Sequence, residues 1–196
     1  MRAVKRFILL PMVLIGFVLS GCSIPTKTDK ETKVEQIDDK YYQNSTIKVN
    51  HLVVKTADAI EIAQDEFKGH LKKVRFERSD NKWKYIIVQG DKQEEAVTIV
   101  DAKTSDVISH SVRDSNEPID QANYFEFDEA RTFEAIQKGA RSMIGNHIRG
   151  WQLTKEYSTG AVVYRVAYRN AGRNLEAYID AESGIVLNIQ NDAKSF

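Results

Sequence analysis

Residues 100–109, VDAKTSDVIS, and residues 179–188, IDAESGIVLN, spell nearly the same phrase at two places in one chain. Each reads as a strand ending in Asp-Ala, a tight turn and a returning strand. Asp101 and Asp180 stand where a carboxylate accepts hydrogen bonds from backbone N–H groups two residues onward, which favours a turn. Gly184 supplies the positive φ that closes a three- or four-residue hairpin. The matching residue in the first phrase is Ser105, for which that backbone costs on the order of 1 kcal/mol. The first hairpin is therefore expected to be looser, or to turn through Asp106.

The likeness extends outward from these phrases. Thr56, Ala59, Ile60 and Gly69 lie over Thr132, Ala135, Ile136 and Gly145 at one constant offset. After three extra residues in the second copy, Val74, Tyr85 and Ile87 lie over Leu153, Tyr164 and Val166. Self-similarity at a fixed period marks duplicated structural units. In the first unit, Ala59, Ile60, Ala63 and Phe67 recur at helical spacing, with Thr56 as N-cap and Gly69 as stop. In the second, Asp128 caps a longer helix striped by Phe133, Ile136, Ala140 and Met143-Ile144, and Gly145 closes it. Strands are predicted at Lys72–Arg78, Lys82–Val88, Glu95–Val100 and Val107–Ser111, and again at Gly150–Tyr157, Ala161–Tyr168, Leu175–Asp180 and Ile185–Gln190. Leading strands are predicted in IKVNHLVV from Ile47 and in NYFEF from Asn123. Connectors such as SDN, STG and RNAGRN are short enough for antiparallel hairpins and too short for parallel crossovers. The fold class so read is α+β. It consists of two tandem units over 47–113 and 121–191, each one helix packed on a three- to four-stranded antiparallel sheet. A linker at 114–120, stiffened by Pro118, joins them, and a tail follows at 192–196.

A helix with Ala-Ile near its start, a middle strand carrying Tyr, and the endings VDAKTSDVIS and IDAESGIVLN resemble the PepSY domain. The resemblance covers residues 54–113 and 126–191, and Ser105 departs from its glycine. It implies a helix on an antiparallel sheet and a role in restraining or modulating peptidases. It carries no catalytic residue.

The first 21 residues are a different kind of sequence. Arg2, Lys5 and Arg6 precede an uncharged apolar run from Phe7 to Leu19, followed by Ser20, Gly21 and Cys22. A basic start, an apolar core and small residues before a cleavage point make an export signal. The ending LSGC is similar to the lipobox of bacterial lipoproteins, which implies lipidation of the Cys22 thiol and cleavage before it. Two or more acyl chains hold a protein stably on a membrane. Residues 22–46 are rich in Lys, Asp, Glu, Thr and Gln, a composition too polar to bury a core, and read as a flexible tether. Tyr41 and Tyr42 are its one apolar spot.

Removing the leader takes three of the 28 Lys and Arg and none of the 28 Asp and Glu, leaving a formal charge of −3. That balance argues against a nucleic-acid partner. Cys22 is the one cysteine in the chain, so packing and not disulfides must hold the body. His51, His70, His110 and His147 are scattered, with no His-Glu-x-x-His, and no Gly-x-Ser-x-Gly elbow is present. Asp101 and Asp180 are accounted for by their turns. The sequence thus points to a protein that is not an enzyme and needs no cofactor or metal. It would be anchored to the membrane by lipid on Cys22 and face the extracytoplasmic side. Trp83, Trp151 and Tyr157 are the candidate partner-binding residues, since exposed Trp and Tyr are enriched at binding hot spots. The expected partner is an extracytoplasmic peptidase that the chain modulates or inhibits. The alternative is non-inhibitory binding of an envelope assembly, a cell-wall polymer or a small ligand.

Overall fold

The structure, a computed structural model, describes residues 44–115 and 123–191. The leader, Cys22, the Tyr41-Tyr42 pair, the 192–196 tail and most of the tether and linker lie outside the described residues. Helix α1 (Thr56–Glu66) is followed by β1 (His70–Ser79), β2 (Lys82–Gly90), β3 (Glu94–Asp101) and β4 (Val107–Asp114). Helix α2 (Phe133–Ile144) is followed by β5 (His147–Lys155), β6 (Val162–Asn170), β7 (Arg173–Asp180) and β8 (Val186–Asn191). Alternation sets the strands: in β2, Trp83, Tyr85, Ile87 and Gln89 are buried while Lys84, Ile86 and Val88 are half-buried.

These strands do not form two sheets. They form one eight-stranded antiparallel sheet in the order β4-β3-β2-β1-β5-β6-β7-β8 with two α-helices, a mostly β architecture, and this overturns the expected α+β fold of two tandem helix-on-sheet units. The join is an antiparallel pairing of β1 with β5, which sets Val74 opposite Leu153, Arg75 opposite Gln152 and Phe76 opposite Trp151. The predicted leading strands are also corrected. Residues Val49–His51 form a 3₁₀ turn, and Ile47 makes a single bridge to Ile148 in β5. Phe125 makes a single bridge to Leu71 in β1. Each helix's leading segment thus bonds to the first strand after the other helix. A split into two independent sheets would break the β1–β5 pairs and both bridges.

Both helices cover one face, and the buried side chains from both halves form a single cluster. Along its centre Trp83 stacks on Phe76 with centroids 5.0 Å apart, and Trp151 stacks on Phe133 at 4.9 Å. Phe76 and Trp151 lie 6.0 Å apart across the β1–β5 join. Fully burying one such side chain contributes roughly 1.5–3 kcal/mol, so these rings help hold the two halves of the sheet together.

The helix ends differ in part from the expectation. Thr56 is the first residue of α1, Lys55 is its N-cap, and Asp58 Oδ2 accepts from Lys55 N at 3.1 Å. The helix stops at Glu66, before Gly69. Asp128 lies in a separate 3₁₀ turn, Phe127–Glu129, and the N-cap of α2 is Thr132, whose hydroxyl accepts from Ala135 N. Gly145 does close α2, with φ at 67°. No helix among the described residues is long and apolar enough to cross a membrane.

Candidate functional site

At one end of β1 and β2 the chain leaves a cleft of about 650 Å³. His70, the turn 90–93, Tyr124, Glu126 and Glu129 line it. The cleft exists because backbones approach closely there. A Cβ on Gly90 would stand 2.5 Å from the Tyr124 hydroxyl, and one on Gly69 would stand 2.9 Å from Gly90 O. Gln89 Nε2 ties this end down by donating to Phe67 O at 3.0 Å. The opposite wall is held by the Leu71–Phe125 bridge, with Phe125 N donating to Leu71 O at 2.9 Å. The two walls therefore come from the first strand and the second leading segment, and the site depends on both halves of the chain.

Its acids and its histidine are already engaged. His70 Nδ1 is bonded to Glu126 Oε1 across 56 residues of sequence, at an exposed rim position. Asp91 Oδ1 accepts from the N–H groups of Gln93 and Glu94 at 2.8 and 2.9 Å, which shapes the β2–β3 turn. Those two bonds hold the Asp91 carboxyl below its ordinary range. Glu129 Oε1 accepts from Glu126 N at 2.8 Å, and its other oxygen faces Lys155 Nζ at 3.5 Å. The Tyr124 ring lies 6.3 Å from the His70 ring, edge to face. Partial burial raises the Tyr124 pKa, opposed by nearby Lys72 and reinforced by Glu95 and Asp91.

Beside the cleft, Glu95 is a nearly buried carboxylate held by two cations. Lys72 sits in the bulge between Leu71 and Lys73 and reaches Glu95 Oε2 at 2.6 Å, while Arg113 bonds to the other oxygen. Burial alone would raise the Glu95 pKa, but the hydrogen bonds from Lys72 and Arg113 outweigh it and the net shift is downward. With Asp91, Glu126 and Glu129 around Lys92, the cleft walls are net acidic. The arrangement suits a cationic group resting against an aromatic ring.

The residues singled out from sequence are placed elsewhere. Trp83 and Trp151 are 1% and 0% exposed, inside the aromatic core, and neither offers surface to a partner. Tyr157 is 71% exposed in the turn between β5 and β6. Cys22 lies outside the described residues. Asp101 Oδ1 accepts from Lys103 N at 2.8 Å and Thr104 N at 3.2 Å, and Asp180 Oδ1 accepts from Ser183 N at 2.7 Å, so both serve their turns. No group of three or more His, Cys, Asp or Glu among the described residues is placed to hold a metal. The sequence does not display the cleft, because His70 and Glu126 are 56 residues apart along the chain. The one legible signal was the pair Gly69 and Gly90, each beside a strand end.

No family model matches the chain, and the comparisons do not confirm the PepSY resemblance. No curated protein matches it either. Among solved structures, the chain is similar to one described as a "putative lipoprotein" from Clostridium difficile 630. That likeness has a TM-score of 0.63 at 20% identity and covers 72% of this chain and 95% of the other. At that identity it speaks to a shared fold.

Proposed function

We propose that the chain is a lipid-anchored, extracytoplasmic binding protein without catalytic activity, and that its cleft receives a positively charged group of an envelope partner. The observation that carries this reading is that the cleft's acids and its histidine each already have a partner. The cleft then offers shape, an aromatic wall and negative charge. The LSGC ending at Cys22 supports the anchor, and so does the fold shared with a protein described as a lipoprotein. Within this reading, modulation of an extracytoplasmic peptidase is the narrower possibility and rests on the PepSY resemblance.

Two variants test it. Cys22→Ala in the native cell should release the chain from the membrane fraction; a variant that stays with the membrane counts against the anchor. Gly90→Ala should push the Tyr124 hydroxyl out of its place, since the new Cβ would meet it at 2.5 Å. Capture of basic envelope peptides should then fall at least tenfold with the fold retained by circular dichroism. Unchanged capture would remove the cleft from the account.

A further inference from the structure

We propose that the His70–Glu126 pair makes the cleft pH-sensitive: it takes its cationic group while the imidazole is neutral and loses affinity as acid charges the ring. This rests on the cleft reading above and adds the regulation of that site. His70 is the first residue of β1, and Glu126 follows Phe125 in the segment leading to α2. The Leu71–Phe125 bridge lays that segment along β1, so a histidine of the first half meets a carboxylate of the second at the cleft rim. Their side chains are 64% and 55% exposed, and a proton reaches the ring without any opening of the fold.

His70 is the one histidine among the residues lining the cleft. The other charged and titratable groups near it come from three sides. Asp91 and Lys92 stand in the β2–β3 turn, and Tyr124 and Glu129 in the segment before α2. Lys68, in the loop before β1, is paired with Asp65 of α1 at 3.3 Å. Of these side-chain types, histidine alone ordinarily changes charge between about pH 5 and 8. Backbone bonds from Gln93 and Glu94 hold the Asp91 carboxyl lower, and burial pushes the Tyr124 hydroxyl higher, so both move away from that range.

The sign follows from the charges. With a neutral ring, Glu126 keeps its negative charge while accepting from the imidazole, and three lining carboxylates, Asp91, Glu126 and Glu129, face one ammonium, Lys92. Protonation cancels one of those negative charges. It also places a resident cation 6.3 Å from the Tyr124 ring centre, beside the wall that a guest cation needs. One unit charge a few ångströms from the guest changes affinity roughly three- to tenfold in a wet site, and salt shrinks the effect. The coupling is reciprocal, so binding the cation drives a proton off the ring.

The test uses the full chain, extracted from membranes in mild detergent and titrated with N-acetylated tetralysine amide, whose charge is constant over this range. At low fixed salt the affinity should fall roughly three- to tenfold from about pH 8 to about pH 5.5. Calorimetry near the middle of that range, in buffers of different ionisation enthalpy, should find protons released on binding. His70→Gln should level the affinities at the two pH values and abolish the proton release, whatever its absolute affinity. His110→Gln should keep the parent's ratio, since His110 bonds to Thr98 and does not line the cleft. Equal parent affinities at the two pH values, with binding still lost in Gly90→Ala, overturn the switch and leave the cleft reading standing. No tetralysine binding at either pH overturns both. A pH ratio that survives in His70→Gln assigns the effect to another group and overturns the proposal.

Discussion

At the scale of residues, the two quoted phrases make the same turn. Ser105 N donates to Asp101 O at 3.0 Å, and Gly184 N donates to Asp180 O at 2.8 Å. Ser105 takes φ of 65° beside 79° for Gly184, so the serine adopts the left-handed backbone instead of loosening the hairpin. Ser105→Gly should relieve about 1 kcal/mol of backbone cost, partly offset by the extra freedom glycine gives the unfolded chain. A rise of roughly 1–2 °C in melting temperature is expected. No rise, or a fall, means the serine is not strained there. Tyr85 and Tyr164 make a second matched pair, each hydroxyl donating to a backbone carbonyl, of Val54 at 2.9 Å and of Arg131 at 2.8 Å. Burial pushes the Tyr164 pKa well up, reinforced by Glu134, which keeps the hydroxyl protonated as a donor. Replacing either tyrosine by Phe should cost about 1–2 kcal/mol in denaturant unfolding, because a carbonyl, buried at Val54 and partly buried at Arg131, loses its partner. The turn chemistry was legible because Asp-Ala and Gly act locally. The tyrosine partners were not, since they lie 31 and 33 residues away in sequence.

At the scale of elements, the two helices are braced to each other by one side chain. Glu134, in the first turn of α2, accepts from Thr56 N at 3.1 Å at the start of α1. A carboxylate there satisfies a free helical N–H and meets the positive end of the helix dipole. Glu134→Ala should lower stability by about 1 kcal/mol, read as a lower denaturant midpoint with an unchanged slope. A midpoint equal to the parent's would mean the brace does nothing. The depressed carboxyls set the response to acid. The Asp180 carboxyl is held low by the Ser183 hydroxyl and backbone N–H, against some desolvation, and Glu95 is held low by Lys72 and Arg113. A group whose folded pKa lies below its unfolded value stabilises the fold above the unfolded value, near 4 for both. That stability is lost as pH falls through the lower folded value. Stability should therefore decline from about pH 4.5 downward, and Asp180→Asn should flatten the decline while lowering stability at neutral pH. A variant whose acid profile parallels the parent's would contradict this. Strands were readable from alternation to within a few residues. The segments at Ile47 and Asn123 read as strands, yet their apolar residues serve single bridges and 3₁₀ turns, and composition does not separate these uses.

At the scale of the whole molecule, sequence and structure part over what β1 and β5 do. Both strands carry charge, Lys72, Lys73, Arg75, Glu77 and Arg78 in one and Arg149 and Lys155 in the other, and read alone they suit solvated edges. Their pairing is decided by Val74, Phe76, Trp151 and Leu153 on the covered face, a three-dimensional match that no local pattern announces. The same limit explains Trp83 and Trp151. Period-2 spacing fixes which side chains share a face, but not which face the helices cover. The cleft belongs to this scale too, since one wall follows each half of the chain. A single sheet with a single core should unfold as one cooperative transition by calorimetry, with calorimetric and van't Hoff enthalpies equal. Two resolved transitions would describe independent units. The most direct measurement is on the join itself, using the paired variant Arg75→Cys with Gln152→Cys, whose positions are opposed across β1 and β5. Mass spectrometry of the exported, non-reduced chain should find these two cysteines linked to each other within one molecule. Two free thiols in a correctly folded chain would contradict the single sheet.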